Sequence, residues 1–121
     1  MSAQFEHPYA VGLIGQFTAE NRAISRKFNA LFKRSRSNFT YLILKTDPAC
    51  LKNLVLCMKL MDIVGINVSK KYQKMVMPHL DGLDVSAKKA MKVNTVARKG
   101  KKFIGYFVKD IFIDSVRLWR D

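Results

Sequence analysis

Small polar side chains stand where apolar runs end in this chain, a placement that suits the lining of a ligand cleft. Asn67 and Ser69 close the run that begins at Ile63, and Asn94 sits inside Val93-Asn94-Thr95-Val96. Their amide and hydroxyl groups offer the hydrogen bonds that hold a small polar or anionic molecule. The same residue types also serve plain turns and strand ends. Charge is the second chemical feature. Lys88, Lys89, Lys92, Arg98, Lys99, Lys101 and Lys102 crowd one segment, and Ser86 to Tyr106 holds no acidic residue. Arg22, Arg26, Lys27, Lys33, Arg34 and Arg36 form another group. With 22 basic against 9 acidic residues, the formal charge is +13. Such a field draws small anions and polyanions alike, or simply solvates one face. Arg22 is a cation suited to a carboxylate.

Metal chemistry is poorly supplied. Cys50, Cys57, His7 and His79 fall at unrelated spacings, so no zinc or other metal site is expected. Two helical turns between Cys50 and Cys57 separate their backbones by about 10 Å, beyond the roughly 7 Å that a disulfide tolerates. Both thiols are expected to be reduced and in the core. At 49% hydrophobic and 26% charged, 121 residues suit one globular domain, residues 1–121. No apolar run approaches the roughly 18 residues that span a bilayer, so no membrane partner is expected. Met1 to Pro8 shows no basic stretch followed by an apolar one, so a cytoplasmic setting without a secretory leader is expected.

These groups need elements to hold them. Tyr9 to Gly15 and Phe39 to Leu44 read as buried strands. Between them, Phe28, Leu31 and Phe32 form a helical stripe with Asn21 as its cap. Thr46-Asp47-Pro48 opens a helix to Met61, with Leu51, Leu54, Val55, Met58 and Met61 inward. Ile66 to Val68 is a strand, Tyr72 to Met77 a short helix, and Leu80 to Asp84 a turn. Asp84 caps a helix from Val85 to Lys92. Val93–Arg98 and Phe103–Val108 pair as a hairpin around Lys99-Gly100-Lys101-Lys102. A last helix covers Asp110 to Arg120. This order predicts a mixed, mostly parallel sheet flanked by helices, a three-layer α/β domain.

Three segments, Gly65-Ile66-Asn67-Val68-Ser69-Lys70-Lys71-Tyr72-Gln73, Val93-Asn94-Thr95-Val96 and Gly105-Tyr106-Phe107-Val108-Lys109-Asp110, resemble motifs of one family. The family is the shikimate dehydrogenases, in their N-terminal substrate-binding domain, which writes G-x-N-V-T-x-P-x-K, V-N-T and G-x-N-T-D-G. Leu13-Ile14-Gly15-Gln16, Phe28-Asn29-Ala30-Leu31-Phe32 and Met77-Pro78-His79-Leu80-Asp81 extend the likeness from Tyr9 to about Leu118. The resemblance implies that Asn67, Ser69 and Asn94 line a substrate cleft. It also implies that the catalytic lysine and aspartate positions hold Gln73 and Lys109. That pair assists proton transfer from the hydroxyl as hydride leaves. Gln73 does not titrate, and Lys109 reverses the aspartate's charge. Lys74 and Asp110 lie one residue further on and would restore the pair only through two separate slips.

The family's H-S-x-S-P loop is replaced by Ala19-Glu20-Asn21-Arg22-Ala23-Ile24-Ser25, with Asn21 and Ala23 in the serine places. No G-x-G-x-x-G for a dinucleotide occurs, so no cofactor is expected. The reading is a freestanding, non-catalytic substrate-binding domain for a small carboxylate or polyol, with Asn67, Ser69, Asn94 and Asn21 as lining and Arg22 or Lys109 as cation. One alternative is half of a split dehydrogenase with a separate nucleotide-binding partner. Another is a basic nucleic-acid-binding module, with aromatics lying mostly on apolar stripes rather than among the cations. Phe107, Ile111 and Trp119 would be covered by self-association or by a partner.

Overall fold

The computed structural model describes residues 9–120; His7 and the rest of the stretch from Met1 to Pro8 lie outside them. Strand β1 (Tyr9–Gly15) is followed by helix α1 (Ala19–Ser35) and strand β2 (Phe39–Lys45). A 3-10 helix (Pro48–Asn53) runs into α2 (Leu54–Leu60), then β3 (Ile63–Val68). After two further 3-10 turns come β4 (Gly82–Leu83), α3 (Val85–Ala90), β5 (Thr95–Lys99), β6 (Lys102–Tyr106) and α4 (Ile111–Arg120). The sheet order is β2-β1-β3-β5-β6-β4. β1 is parallel to β2 and β3, β4 is parallel to β6, and β5 is antiparallel to both neighbours. All strands but β5 therefore point the same way.

Alternation along the strands sends side chains to two cores. Ile14, Ile66, Val68 and Val96 pack with Leu51, Leu54, Met58 and Ala87 on the face of α2 and α3. Val11, Leu13, Val64 and Ala97 pack with Phe28, Phe32 and Trp119 on the face of α1 and α4. The expected mixed sheet between helical layers is the one observed. Since β2 and β3 flank β1 and their connections use opposite faces, a crevice opens at the carboxyl ends of β1 and β3.

Several local expectations change. Thr18 caps α1, its Oγ1 accepting from the Asn21 N–H at 3.0 Å, so Asn21 lies inside the helix. Ala19 to Ser25, read as a loop in the family's pattern, is helical. The helix predicted to Met61 begins as a 3-10 segment and ends at Leu60, leaving Met61 exposed. Cys50 and Cys57 are free but exposed, because burial there goes to Leu51, Leu54 and Met58. In place of the short helix from Tyr72 to Met77, two 3-10 helices (Lys70–Tyr72 and Met77–His79) flank a turn at 73–76, and Leu80 to Asp84 contains β4. Trp119 needs no partner for cover: it is buried, and its Nε1–H donates to the Val96 carbonyl at 3.0 Å. Gly65 makes this possible, since a Cβ there would stand 2.0 Å from that indole nitrogen.

Helix α1 also meets the outer side of β2. Asn29 donates from Nδ2 to the Tyr41 carbonyl at 3.0 Å, and its Oδ1 accepts from the Tyr41 N–H at 2.9 Å. Above that contact Phe28 stacks on the Tyr41 ring, with centroids 4.2 Å apart.

Candidate functional site

The crevice at the carboxyl edge is a cleft of about 480 Å³. The ends of β1 and β3, the approach to β5, the start of α1 and residues 70–73 enclose it. Of the residues singled out in the sequence, Asn21, Asn67, Ser69, Gln73 and Asn94 line it together. Arg22, Lys74, Lys109 and Asp110 are absent from its lining. Its cations are Lys70 and Lys71, and its one carboxylate among the described residues is that of Glu20.

Asn67 is only 2% exposed and is committed to the fold. Its Oδ1 accepts from the Tyr41 hydroxyl at 2.8 Å, while Nδ2 donates to Thr95 Oγ1 at 3.1 Å and Ser115 Oγ at 2.9 Å. Both amide hydrogens are spent and one lone pair remains. Burial pushes the Tyr41 hydroxyl far above its ordinary range, so it stays protonated and donates. The Thr95 hydroxyl donates to Asn94 Oδ1 at 3.2 Å, which makes Ser115 the donor in the 3.3 Å Thr95–Ser115 contact. No buried side-chain polar atom among the described residues is left without a partner.

Asn94 extends the network to the segment before α4. Its Nδ2 donates to the Val108 carbonyl at 2.8 Å and its Oδ1 accepts from the Val108 N–H at 2.9 Å. With Thr95 also on Oδ1, one amide N–H is all that Asn94 has left for a ligand. The clamp fixes Val108, and the next residue, Lys109, is exposed. Asp110 is used as a cap, accepting from the N–H groups of Phe112 at 3.0 Å and Ile113 at 3.1 Å.

Ser69 is the freest of the small polar groups. Its N–H donates to the Ile14 carbonyl at 3.2 Å, but its hydroxyl bonds to no protein group among the described residues. Gly15 leaves room for it, because a Cβ there would lie 2.8 Å from Ser69 Oγ. Gln73 donates from Nε2 to the Val68 carbonyl at 3.0 Å, and its backbone carbonyl accepts from Val93 N–H at 2.9 Å. Tyr72 is buried beside it, its hydroxyl donating to the Thr46 carbonyl at 2.8 Å. Asn21 donates from Nδ2 to the Gln16 carbonyl at 2.8 Å.

The arrangement offers a hydroxyl, one amide N–H and two ammonium groups in a half-open crevice, which suits an anion bearing hydroxyls. Gln73 lines this space and Lys109 does not, so the two family positions do not meet in it. Lys70 and Lys71 follow Ser69 directly, and their adjacency was the signal for them. Tyr41 and Ser115 carried no such signal, being distant in sequence and joined only by the fold, while Thr95 stood in the V-N-T segment with nothing to show that its hydroxyl meets Asn67. Among the described residues no group of three or more potential ligands could hold a metal, and no helix is long and apolar enough to cross a membrane.

The family model of the shikimate dehydrogenase substrate binding domain matches residues 23–96. A shikimate dehydrogenase (NADP(+)) of Desulforamulus reducens is 33% identical over 95 residues, which are 78% of this chain and 32% of that one. The crystal structure of shikimate dehydrogenase from Aquifex aeolicus superposes with a TM-score of 0.71 at 31% identity, covering 88% of this chain and 38% of that one. Shikimate 5-dehydrogenase from Listeria monocytogenes, crystallised with shikimate and NAD, gives a TM-score of 0.73 at 26% identity, covering 83% and 34%. The chain spans between 27% and 35% of the length of the curated relatives it matches.

Proposed function

Because the chain belongs to the shikimate dehydrogenase substrate-binding domain family, we propose that its carboxyl-edge cleft binds a small hydroxylated carboxylate, shikimate-like in chemistry, without catalysing its oxidation. The observation that carries this reading is the meeting of Ser69, Asn94 and Gln73 with Lys70 and Lys71 in one crevice. Lys70 and Lys71 supply the positive charge that Arg22 and Lys109 were expected to supply. Ser69 Oγ and the remaining Asn94 N–H serve hydroxyl groups of the ligand. Catalysis is set aside on chemical grounds. Gln73 exchanges no proton, and Asp110 is engaged at the start of α4.

The residues present also do not fit a dinucleotide. The turn after β1, Gln16-Phe17-Thr18, has no glycine to admit a pyrophosphate, and no G-x-G-x-x-G occurs elsewhere. The described domain is thus read as a single binding unit within residues 1–121. A second reading, a substrate-binding half working with a separate nucleotide-binding subunit, draws on the matched relatives being about two and a half times as long.

Calorimetric titration with shikimate and related carboxylates tests the first reading. Heat at millimolar ligand, reduced about fivefold or more in affinity by Lys71→Gln, supports it; no heat with any of them overturns it. Turnover of shikimate and NADP by the isolated chain would instead overturn the non-catalytic assignment.

A further inference from the structure

At the opposite, amino edge of the sheet lies a second cleft, of about 520 Å³, that the reading above leaves unused. The starts of β1 and β2, the end of β5 and the C-terminal ends of α1 and α4 frame it. Three arginines from three different elements line it: Arg36, Arg98 and Arg120. Tyr9 and Phe39 stand beside them, half-buried, with ring centroids 6.2 Å apart. Phe39 follows Arg36 by three residues, but Tyr9, Arg98 and Arg120 are distant in sequence and only the fold brings them to the same edge.

Part of the charge has local work. Lys99 Nζ donates to the Leu118 carbonyl at 2.7 Å, and Arg120 bonds the hydroxyls of Ser35 and Ser37. Arg98 makes one contact with Asp62 at 3.3 Å, both side chains being more than a third exposed, so the pairing is weak. The Arg36 guanidinium has no partner among the described residues. A neighbouring cleft shares Arg98 and Gly100 with the first and adds Lys59 and Lys101. The basic surface therefore continues past a single pocket, along the turn between β5 and β6.

We propose that this edge binds single-stranded nucleic acid, with phosphates on the arginine cleft and its lysine extension and a base against Tyr9 and Phe39. Cations that track a backbone beside partly exposed aromatic rings are the combination such strands need. Two adjoining basic clefts favour a strand over a lone nucleotide, because one phosphate would use only the first. The +13 charge makes the encounter fast and salt-sensitive.

Fluorescence anisotropy with a labelled 15-nucleotide deoxythymidine strand tests this on the full chain at low salt. Arg36→Gln with Arg98→Gln should weaken binding about tenfold or more. Lys88→Gln with Lys89→Gln removes equal charge from exposed positions on α3 and should change it less than about threefold. Tyr9→Leu should cost roughly fivefold or more if a base stacks there. Circular dichroism melting identifies any variant that fails to fold, and the parent's competition by unlabelled strand against adenosine monophosphate gives a readout free of mutation. Equal losses in the two double variants would overturn the site as mere charge attraction. No binding by the parent at low salt, or a mononucleotide competing as well as the strand, would overturn the proposal too.

Discussion

Replacing Asn67 with alanine should cost stability before it costs ligand binding. The substitution removes the acceptor of the Tyr41 hydroxyl and the donor to Thr95 and Ser115. The last two lie 3.3 Å apart and can satisfy each other, so their loss is small. The Tyr41 hydroxyl has no such substitute in its buried setting. An unpaired buried donor costs about 1–3 kcal/mol, and the vacated amide volume adds to it. A total of about 3 kcal/mol is the working figure. With a melting entropy of roughly 2.1 cal/mol/K per residue, that is a fall of about 12 °C in melting temperature for a chain of this size. Differential scanning calorimetry and urea unfolding, with an unchanged m-value, provide the measurement. Tyr41→Phe alone should cost about 1 kcal/mol, and the double variant should lose less than the sum of the singles, because the orphaned hydroxyl goes together with its acceptor. An Asn67→Ala protein melting within about 2 °C of the parent would refute a structural role for this side chain.

Gly65→Ala forces a methyl group into the Trp119 indole and should destabilise by about 3 kcal/mol, read by urea midpoint, with part recovered on adding Trp119→Leu. Asp84 holds the start of α3; its hydrogen bonds from the Ser86 side chain and backbone N–H keep its carboxyl below its ordinary value. The cap therefore contributes fully above the unfolded aspartate's pKa and is lost as pH falls through the lower, folded one. Asp84→Ala should cost about 1 kcal/mol at neutral pH, and its gap from the parent should close below about pH 4, as followed by thermal melts across pH. Gly15→Ala should press on Ser69 and weaken carboxylate binding, checked by calorimetry alongside a melt that separates a moved hydroxyl from a loosened fold.

Tyr9–Gly15 was legible because its apolar run is uninterrupted, and the structure repeats its bounds, whereas the third strand was read only from Ile66 because Gly65 breaks the run that in fact begins it at Ile63. The Pro48 segment was harder: a proline start announces a helix without telling a 3-10 turn from an α turn, and Met61 was placed inward on a period that does not persist there. Thr18 was overlooked as a cap because Asn21 is an equally good capping residue by type. In the cleft, residue type identified Asn67, Ser69 and Asn94, but not how much each is free to do. That depends on Tyr41, Thr95 and Ser115, which reach Asn67 from 26, 28 and 48 residues away. Cysteine's usual preference for the interior was overruled by the helix phase that Leu51, Leu54 and Met58 set.

Asn29 has a meaning beyond fastening α1 to β2. β2 is the outermost strand on its side, and such a strand presents peptide groups to which another chain can add. By donating to the carbonyl of Tyr41 and accepting from its N–H, Asn29 fills the two positions an incoming strand would need at mid-length. One side chain thereby does the blocking that other proteins assign to a bulge or a proline. Removing it would open this edge to strand addition, and aggregation that rises with protein concentration should follow.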